Sequence, residues 1–258
     1  MSTTSAPLLS IQGLEKAYPN GFQALRGIDL DIEAGEFVVI IGLSGAGKST
    51  FIRCINRLID PTGGTIRFDG HDVTTCRGAE LRALRRDMAM IFQQFNLVKR
   101  ATVETNVLTG ALERASTLTS LLGFWPRAER EAARGYLELV GLPGEIRRRA
   151  DALSGGQQQR VAIARALMQR PKMILADEPV ASLDPATSHS VMKYLKQLQE
   201  DGLTIVANLH FLSLAREYGT RVVALKDGRK VFDGPPTEIT DAKFQEIYGE
   251  DAMEVEIR

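Results

Sequence analysis

A chain of 258 residues in which 32 Lys and Arg balance 32 Asp and Glu carries no formal net charge, which argues against a general nucleic-acid binder with a basic excess. At 44% hydrophobic and 25% charged residues it can bury a substantial core without disulfides or metals, and the composition excludes wholesale disorder. No uninterrupted apolar run is longer than that at residues 37–41, far short of the roughly 20 apolar residues a membrane-spanning helix needs. Residues 1–10 have no basic start and no apolar h-region, so they do not read as a secretory signal. Cys54 and Cys76 form no close-spaced metal or redox motif. A soluble, reduced, cytoplasmic protein is expected.

Residues 1–7 are small and polar and are expected to fray. From Leu8 through residues 25–32, apolar and polar residues mix at strand-like spacing. Residues 37–41, Phe-Val-Val-Ile-Ile between glycines, read as a fully buried strand. A glycine-rich turn follows at 42–47, and then a helix over residues 48–58, ended by Pro61 and the glycines at 63 and 64. Residues 65–68 look like a strand closed by an Asp-Gly turn. From about residue 97 to 170 strand signals give way to helical ones. Helices are predicted over 127–140, stopped by Gly141, and over 155–169, capped by Ser154 and followed by Pro171. Strands return at 173–176, 203–209, 221–225 and 229–232, with a helix opened by Asp184-Pro185 and ended by Gly202. Strands alternating with helices imply an α/β protein with a mostly parallel sheet, interrupted by an inserted helical stretch.

Three segments carry chemistry. Residues 42–49, Gly-Leu-Ser-Gly-Ala-Gly-Lys-Ser, fit G-x-x-x-x-G-K-[ST] and stand where that motif must stand, after a buried strand and at the start of a helix. Its glycines let backbone N–H groups curl around phosphate oxygens, the helix N-terminus favours an anion, Lys48 reaches β- and γ-phosphates, and the Ser49 hydroxyl suits Mg²⁺. The strand at 173–176 ends in two carboxylates. Asp177 is the candidate second metal anchor, and Glu178 the candidate general base that polarises the attacking water. Finally, residues 153–157, Leu-Ser-Gly-Gly-Gln, open a helix at which Ser154, Gly155 and Gly156 are expected to present unused N–H groups to an anion.

The last string matches the signature of ATP-binding cassette (ABC) proteins, and nearly the whole chain, from about Leu8, resembles the ATPase subunit of an ABC transporter. The resemblance implies a P-loop NTPase (RecA-like) α/β core with an N-terminal antiparallel β subdomain and an inserted helical signature subdomain. One nucleotide-binding domain would cover residues 8–250, with the ATP-binding core and β subdomain in 8–95 and 171–250 and the helical part in 96–170. It assigns Tyr18 to stacking on adenine, and Gly42, Leu43, Ser44, Gly45, Ala46, Gly47, Lys48, Ser49 and Thr50 to ATP binding. Gln93 matches the Q-loop glutamine, which the resemblance assigns both to catalysis, with Glu178 and His210, and to Mg²⁺, with Ser49 and Asp177. Glu178 matches the catalytic base, Asp184 the D-loop aspartate and His210 the switch histidine. The family sandwiches two ATP molecules head to tail in a dimer, so Leu153, Ser154, Gly155, Gly156 and Gln157 would act in trans.

Finer likeness lies in residues 53–58, 91–97, 121–126, 176–185, 232–236 and 246–249, which look like the phosphonate-import ATPases. Leu43 stands where proline is usual and Ala207-Asn208 where Val-Ser is commoner, departures that touch no group assigned to catalysis. The resemblance implies an ATP-hydrolysing importer subunit at the cytoplasmic face of the cell inner membrane. Its implied partners are a second copy of the chain, a membrane permease dimer and an extracytoplasmic solute-binding protein, and nucleic acid is not among them. The alternatives are the ATPase of a phosphate, phosphite or amino-acid importer, or a soluble ABC ATPase of DNA repair or translation. Repair-type proteins carry long coiled coils between the two motifs, where this chain has only about a hundred residues without a sustained heptad pattern. Translation factors of the family usually hold two cassettes. Arg85-Arg86 and residues 147–149 are read as solvated faces.

Overall fold

The structure, a computed structural model, describes residues 6–115 and 123–249. Residues 1–5, expected to fray, lie outside the described residues, as do Leu121 and Leu122 of the family-like stretch 121–126.

Among the described residues the strands form two sheets. The smaller is antiparallel, in the order β2 (Gln23–Ile32), β1 (Leu9–Ala17), β4 (Gly63–Phe68) and β5 (His71–Asp72). The larger has the order β10 (Arg229–Gly234), β9 (Arg221–Lys226), β3 (Phe37–Ile41), β8 (Thr204–Asn208), β7 (Met173–Asp177) and β6 (Met88–Ile91). It is parallel except for β10, which returns antiparallel to β9. The strand β6 was not singled out from the sequence, because Met-Ala-Met-Ile lacks the β-branched run that marked β3.

Alternation within the larger sheet creates two cores. Phe37, Val39 and Ile41 of β3 face one cluster, while Val38 and Ile40 face the other, so every residue of the strand is buried. The same division holds in β7, where Ile174 and Ala176 oppose Met173 and Leu175. The second cluster fills the space between the sheets and contains Phe51, Ile52, Cys54 and Ile55 of α1 (Lys48–Ile55). Each such buried aliphatic or aromatic side chain is worth about 1.5–3 kcal/mol, which fixes α1 against β7 and β8 of the larger sheet. Burial also pushes the Cys54 thiol up to about 12, so it acts as a packing group.

The opposite cluster takes in the helices α3 (Val103–Leu108), α4 (Arg127–Leu139) and α5 (Gly155–Leu167). As the sequence indicated, this stretch holds helices, and its β pairing among the described residues is a single bridge between Thr102 and Arg149. The helix α6 (Pro185–Glu200) has Asp184 as its cap, accepting from Thr187 N at 3.0 Å, and Pro185 in its first turn. Three shorter helices, α2 (Gly78–Asp87), α7 (Leu212–Tyr218) and α8 (Asp241–Tyr248), were not anticipated.

Two expectations are corrected. The first helix ends at Ile55 rather than near residue 58, because Arg57 turns into the left-handed region at φ 54°. Arg85 is not a solvated charge: its guanidinium donates to the carbonyls of Asn56 and Arg57 at 3.0 and 2.6 Å, capping that helix end.

Candidate functional site

The strand order decides where the chemistry gathers. In the larger sheet β3, β8 and β7 are consecutive neighbours running in parallel, so their carboxyl ends lie side by side. Ligands of open α/β sheets bind at such ends. Here they carry residues 42–49, Asp177 with Glu178, and Asn208 followed by His210.

After β3 the chain turns through Gly42 at φ +141°, where a Cβ would meet the Leu225 carbonyl oxygen at 2.1 Å. Only glycine fits that position. Gly47 caps α1 with no side-chain hydrogen bond, which leaves the first N–H groups of the helix for an anion. Lys48 is 5% exposed, and its Nζ donates to the carbonyls of Gly42 and Leu43 at 2.6 and 3.0 Å. Burial lowers its pKa below the ordinary lysine value, opposed by the nearby Glu178 and Asp177 carboxylates. An ammonium has three donors, so one remains for a ligand. Beside the loop lies a cleft of about 250 Å³, lined by Phe22, Ala24, Ser44, Gly45, Gly47, Lys48, Ser49, Thr50, Glu178 and His210. A cleft of similar volume, about 260 Å³, between Phe68, His71, Leu84 and Lys172 has no phosphate loop on its wall.

Asp177 is 1% exposed at the end of β7. Arg53 donates to its Oδ2 from Nε at 2.8 Å and from Nη2 at 2.7 Å, and Asn208 Nδ2 donates to its Oδ1 at 2.8 Å. Glu178, the next residue, has a left-handed backbone at φ 53°. Its two carboxylate oxygens are both engaged: His210 Nε2 lies 2.7 Å from Oε1, and Gln93 Nε2 donates to Oε2 at 2.8 Å. Lys48, Ser49, Gln93, Asp177, Glu178 and His210 are thus gathered into one neighbourhood. The expectation that Ala207-Asn208 touches no catalytic group is overturned, because the Asn208 amide contacts Asp177, Ser49 and the Glu178 N–H.

Could these residues hold Mg²⁺? The ion takes oxygen ligands, keeps several waters and commonly uses one or two carboxylates plus substrate phosphates. The Ser49 hydroxyl and the Asp177 carboxylate are tied to the same Asn208 amide, and the Gln93 side chain lies across Glu178. No group of three His, Cys, Asp or Glu side chains forms a cage among the described residues. The donor set fits an ion held jointly by protein, water and phosphate.

Tyr18 and Phe22 flank the turn between β1 and β2, where Tyr18 N donates to Phe22 O at 2.9 Å. Their rings stack with centroids 6.4 Å apart and planes inclined by 19°. The Tyr18 hydroxyl lies 3.3 Å from Thr50 Oγ1, but it is Phe22, 52% exposed, that lines the cleft. Phe22 escaped sequence reading, although Pro-Asn-Gly between two strand-like runs signals a turn that brings its flanks together.

The signature segment stands apart from this cleft, whose lining holds none of residues 153–157. Ser154 caps α5 in a reciprocal box: its Oγ accepts from Gln157 N at 3.3 Å, and its own N–H donates to Gln157 Oε1 at 3.0 Å. The expectation that the Ser154 N–H is unused is therefore wrong. Ser-x-x-Gln before a helix is a capping-box pattern that could have shown this. Gly155 and Gly156, the first helical residues, keep N–H groups with no partner inside the helix. A Cβ on Gly156 would lie 2.2 Å from Thr187 Cγ2, so this helix start packs closely on the start of α6. Arg165, further along α5, donates to the carbonyls of Phe95 and Asn96 at 2.7 and 2.6 Å, tying the helix to the turn after Gln93. Asp184 is exposed.

A glycine-rich phosphate-loop motif at a helix start, beside a carboxylate held by a histidine on adjoining parallel strands, defines a P-loop nucleotide-binding cassette. A family model described as ABC transporter matches residues 25–181. The chain is 58% identical over 253 residues to a protein of Bdellovibrio bacteriovorus named "Phosphonates import ATP-binding protein PhnC", covering 97% of each. A protein of the same name from Shouchella clausii is 53% identical over 251 residues, with 97% of this chain and 94% of that protein covered. Among solved structures, cbiO1 from Clostridium perfringens, part of the ABC transporter complex cbiONQ, superposes with a TM-score of 0.81 at 30% identity over 94% of each chain. The ATP-binding cassette MJ0796, in a dimeric post-hydrolysis state bound to ADP and Pi, gives 0.79 at 37% identity, covering 88% of this chain and 98% of that one. The chain belongs to the ABC transporter family. No helix among the described residues is long and apolar enough to cross a membrane.

Proposed function

We propose that this chain is the ATP-hydrolysing subunit of an importer that takes up phosphonates, or a related phosphorus oxyanion, through a separate membrane permease. The observation that carries the reaction is the convergence of Lys48, Glu178 and His210 on one cleft. The 58% identity to a phosphonate-import ATP-binding protein over 97% of both chains supports the cargo.

In this reading the triphosphate of ATP lies along residues 42–50, against the N–H groups at the start of α1 and the remaining donor of Lys48. Tyr18 carries the adenine. Ser49, Asp177 and Gln93 would hold Mg²⁺, which when bound neutralises charge on the β- and γ-phosphates. Glu178 accepts a proton as a water oxygen bonds to the γ-phosphorus and the bond to the β–γ bridging oxygen breaks, leaving ADP and inorganic phosphate. His210 orients the Glu178 carboxylate.

Gly155 and Gly156 act on the nucleotide of a second copy of the chain, with Leu153, Ser154 and Gln157 shaping that helix start and Asp184 meeting the partner. Their absence from the chain's own cleft supports sharing of this kind. Residues 8–95 and 171–250 would form the ATP-binding body, and residues 96–170 the helical arm that carries the signature. ATP closes the homodimer and hydrolysis releases it, which drives a permease dimer fed by an extracytoplasmic binding protein. The subunit sits peripherally at the cytoplasmic face of the inner membrane and uses no nucleic acid.

The test is growth of a deletion strain on a panel of phosphorus sources. Loss of growth on phosphonates with growth on phosphate retained is the expected result. Undiminished growth on every phosphonate would overturn the cargo assignment, and loss on phosphite or phosphate would move it to that anion.

A further inference from the structure

The groups assigned to hydrolysis stand on three separate elements: Ser49 on α1, Asp177 and Glu178 at the end of β7, and His210 beyond β8. One side chain, carried by β8 itself, touches the first two of these places. Asn208, the last residue of β8, has no exposed surface and stands directly opposite Asp177 in the β7–β8 register. Its Nδ2 donates to Asp177 Oδ1 at 2.8 Å and to Ser49 Oγ at 3.3 Å, and its Oδ1 accepts from the backbone N–H of Glu178. A carboxamide offers two N–H donors and one acceptor oxygen, and here each is used.

We propose that Asn208 is a positioning residue for hydrolysis, holding the metal-binding oxygens of Ser49 and Asp177 and the backbone of Glu178 in one fixed arrangement. The inference rests on the ATPase reading above. Its physical basis is a matching of donors to acceptors. Asp177 is a buried carboxylate whose Oδ2 is satisfied by Arg53, and Asn208 supplies the donor for Oδ1. A buried anion without that donor would turn towards another. Glu178 holds a left-handed backbone that a residue with a Cβ adopts only under constraint, and the bond from its N–H to Asn208 helps to impose it. Because the base follows Asp177 directly in the chain, one amide sets the separation between base and metal anchor. The strand that carries this amide runs on to His210, so the partner of Glu178 is anchored by the same element.

The substitutions separate the roles of the amide. Asn208→Ala removes every contact. Asn208→Asp keeps the shape and the acceptor for Glu178 N–H, but it loses the donors and sets a second carboxylate against Asp177. Asn208→Ser restores one short hydroxyl. Hydrolysis, its magnesium dependence and ATP binding in EDTA are measured on the full-length chain. ATP binding in EDTA should stay within about threefold of wild type, because Asn208 is not among the cleft-lining residues. The gain in nucleotide affinity on adding magnesium, and kcat, should each fall roughly 10–100-fold in Asn208→Ala and at least as far in Asn208→Asp, the scale expected when an outer support of a metal ligand is lost. Asn208→Ser should recover part of kcat.

Wild-type kcat and magnesium response in Asn208→Asp would overturn the proposal. So would an Asn208→Ala protein whose binding in EDTA falls as far as its kcat, since that is general damage to the cleft. Should Asn208→Ala fail to fold, the other two variants decide: a magnesium-specific loss supports the role, and wild-type values in both refute it. Glu178→Gln serves as the reference in the same assay. If the wild-type chain does not hydrolyse ATP the ATPase reading itself fails, and if Glu178→Gln hydrolyses it normally the role of Glu178 as base fails, whereas an inactive Glu178→Gln beside a normal Asn208→Asp refutes the positioning role alone.

Discussion

His210 Nε2 lies 2.7 Å from Glu178 Oε1, while Gln93 Nε2 donates to the other oxygen of the same carboxylate at 2.8 Å. The carboxylate proposed as proton acceptor is therefore held from two sides, by residues from the ends of two other strands. Replacing it with Gln keeps the shape and removes the basicity. Glu178→Gln is expected to bind ATP within a few-fold of wild type, to accumulate as an ATP-bound dimer, and to lose at least about 100-fold in kcat. Phosphate release and light scattering in the presence of ATP measure the two effects. Turnover near wild type would remove Glu178 from the role of base.

Among the described residues Lys48 is the one ammonium buried against the phosphate loop, and it also ties the carbonyls of Gly42 and Leu43 together. In Lys48→Ala both the charge on the phosphates and that tie disappear. ATP affinity, read by titration with a fluorescent nucleotide, should fall by at least about tenfold, which corresponds to roughly 1.4 kcal/mol. Hydrolysis should be lost. Unchanged affinity and rate would refute phosphate contact by this side chain.

The exposed capping box at Ser154 lies outside the chain's own cleft, and the shared-site proposal sets it against the nucleotide of a second copy. Ser154→Arg should block hydrolysis in trans by filling the space of the γ-phosphate, whereas Ser154→Ala costs only the cap, about 1 kcal/mol of stability. In mixed dimers with one Ser154→Arg subunit, single-turnover hydrolysis should be lost at the site that faces the altered signature. Full activity at both sites would contradict a shared site.

Phe22 stacks on Tyr18, the proposed adenine contact, and lines the cleft, so it is expected to share the contact with the base. Loss of one aromatic contact to a base costs about 1–3 kcal/mol. Phe22→Ala should therefore raise KM for ATP roughly 5–100-fold while kcat changes little, and Phe22→Tyr should restore it. An unaltered KM would show that the base lies elsewhere.

Much of this could be read along the chain. The phosphate loop, the carboxylate pair and the signature are contiguous strings whose chemistry depends on neighbours a few residues away. The burial of residues 37–41 followed from an apolar run between glycines, and the cap at Asp184 from Asp-Pro at a helix start. The capping box at Ser154 is equally local, since Ser-x-x-Gln before a helix spells it. Phe22 needed one further step, since its place depends on how the turn after Tyr18 closes.

Asn208 and Arg53 belong to another kind of fact. An Asn near a histidine says nothing until the register sets it opposite Asp177, and Arg53 in a helix says nothing until that helix lies between the sheets. By itself the sequence determined the family, and it located the phosphate-loop motif and the residues proposed for the reaction, because these depend on short-range backbone geometry and on side-chain chemistry. Only the tertiary structure decided that β3, β8 and β7 are neighbours, and with that which side chain bridges Ser49, Asp177 and Glu178. Hydrogen bonds form over about 3 Å, and distances of that size between remote segments are set by strand order and core packing.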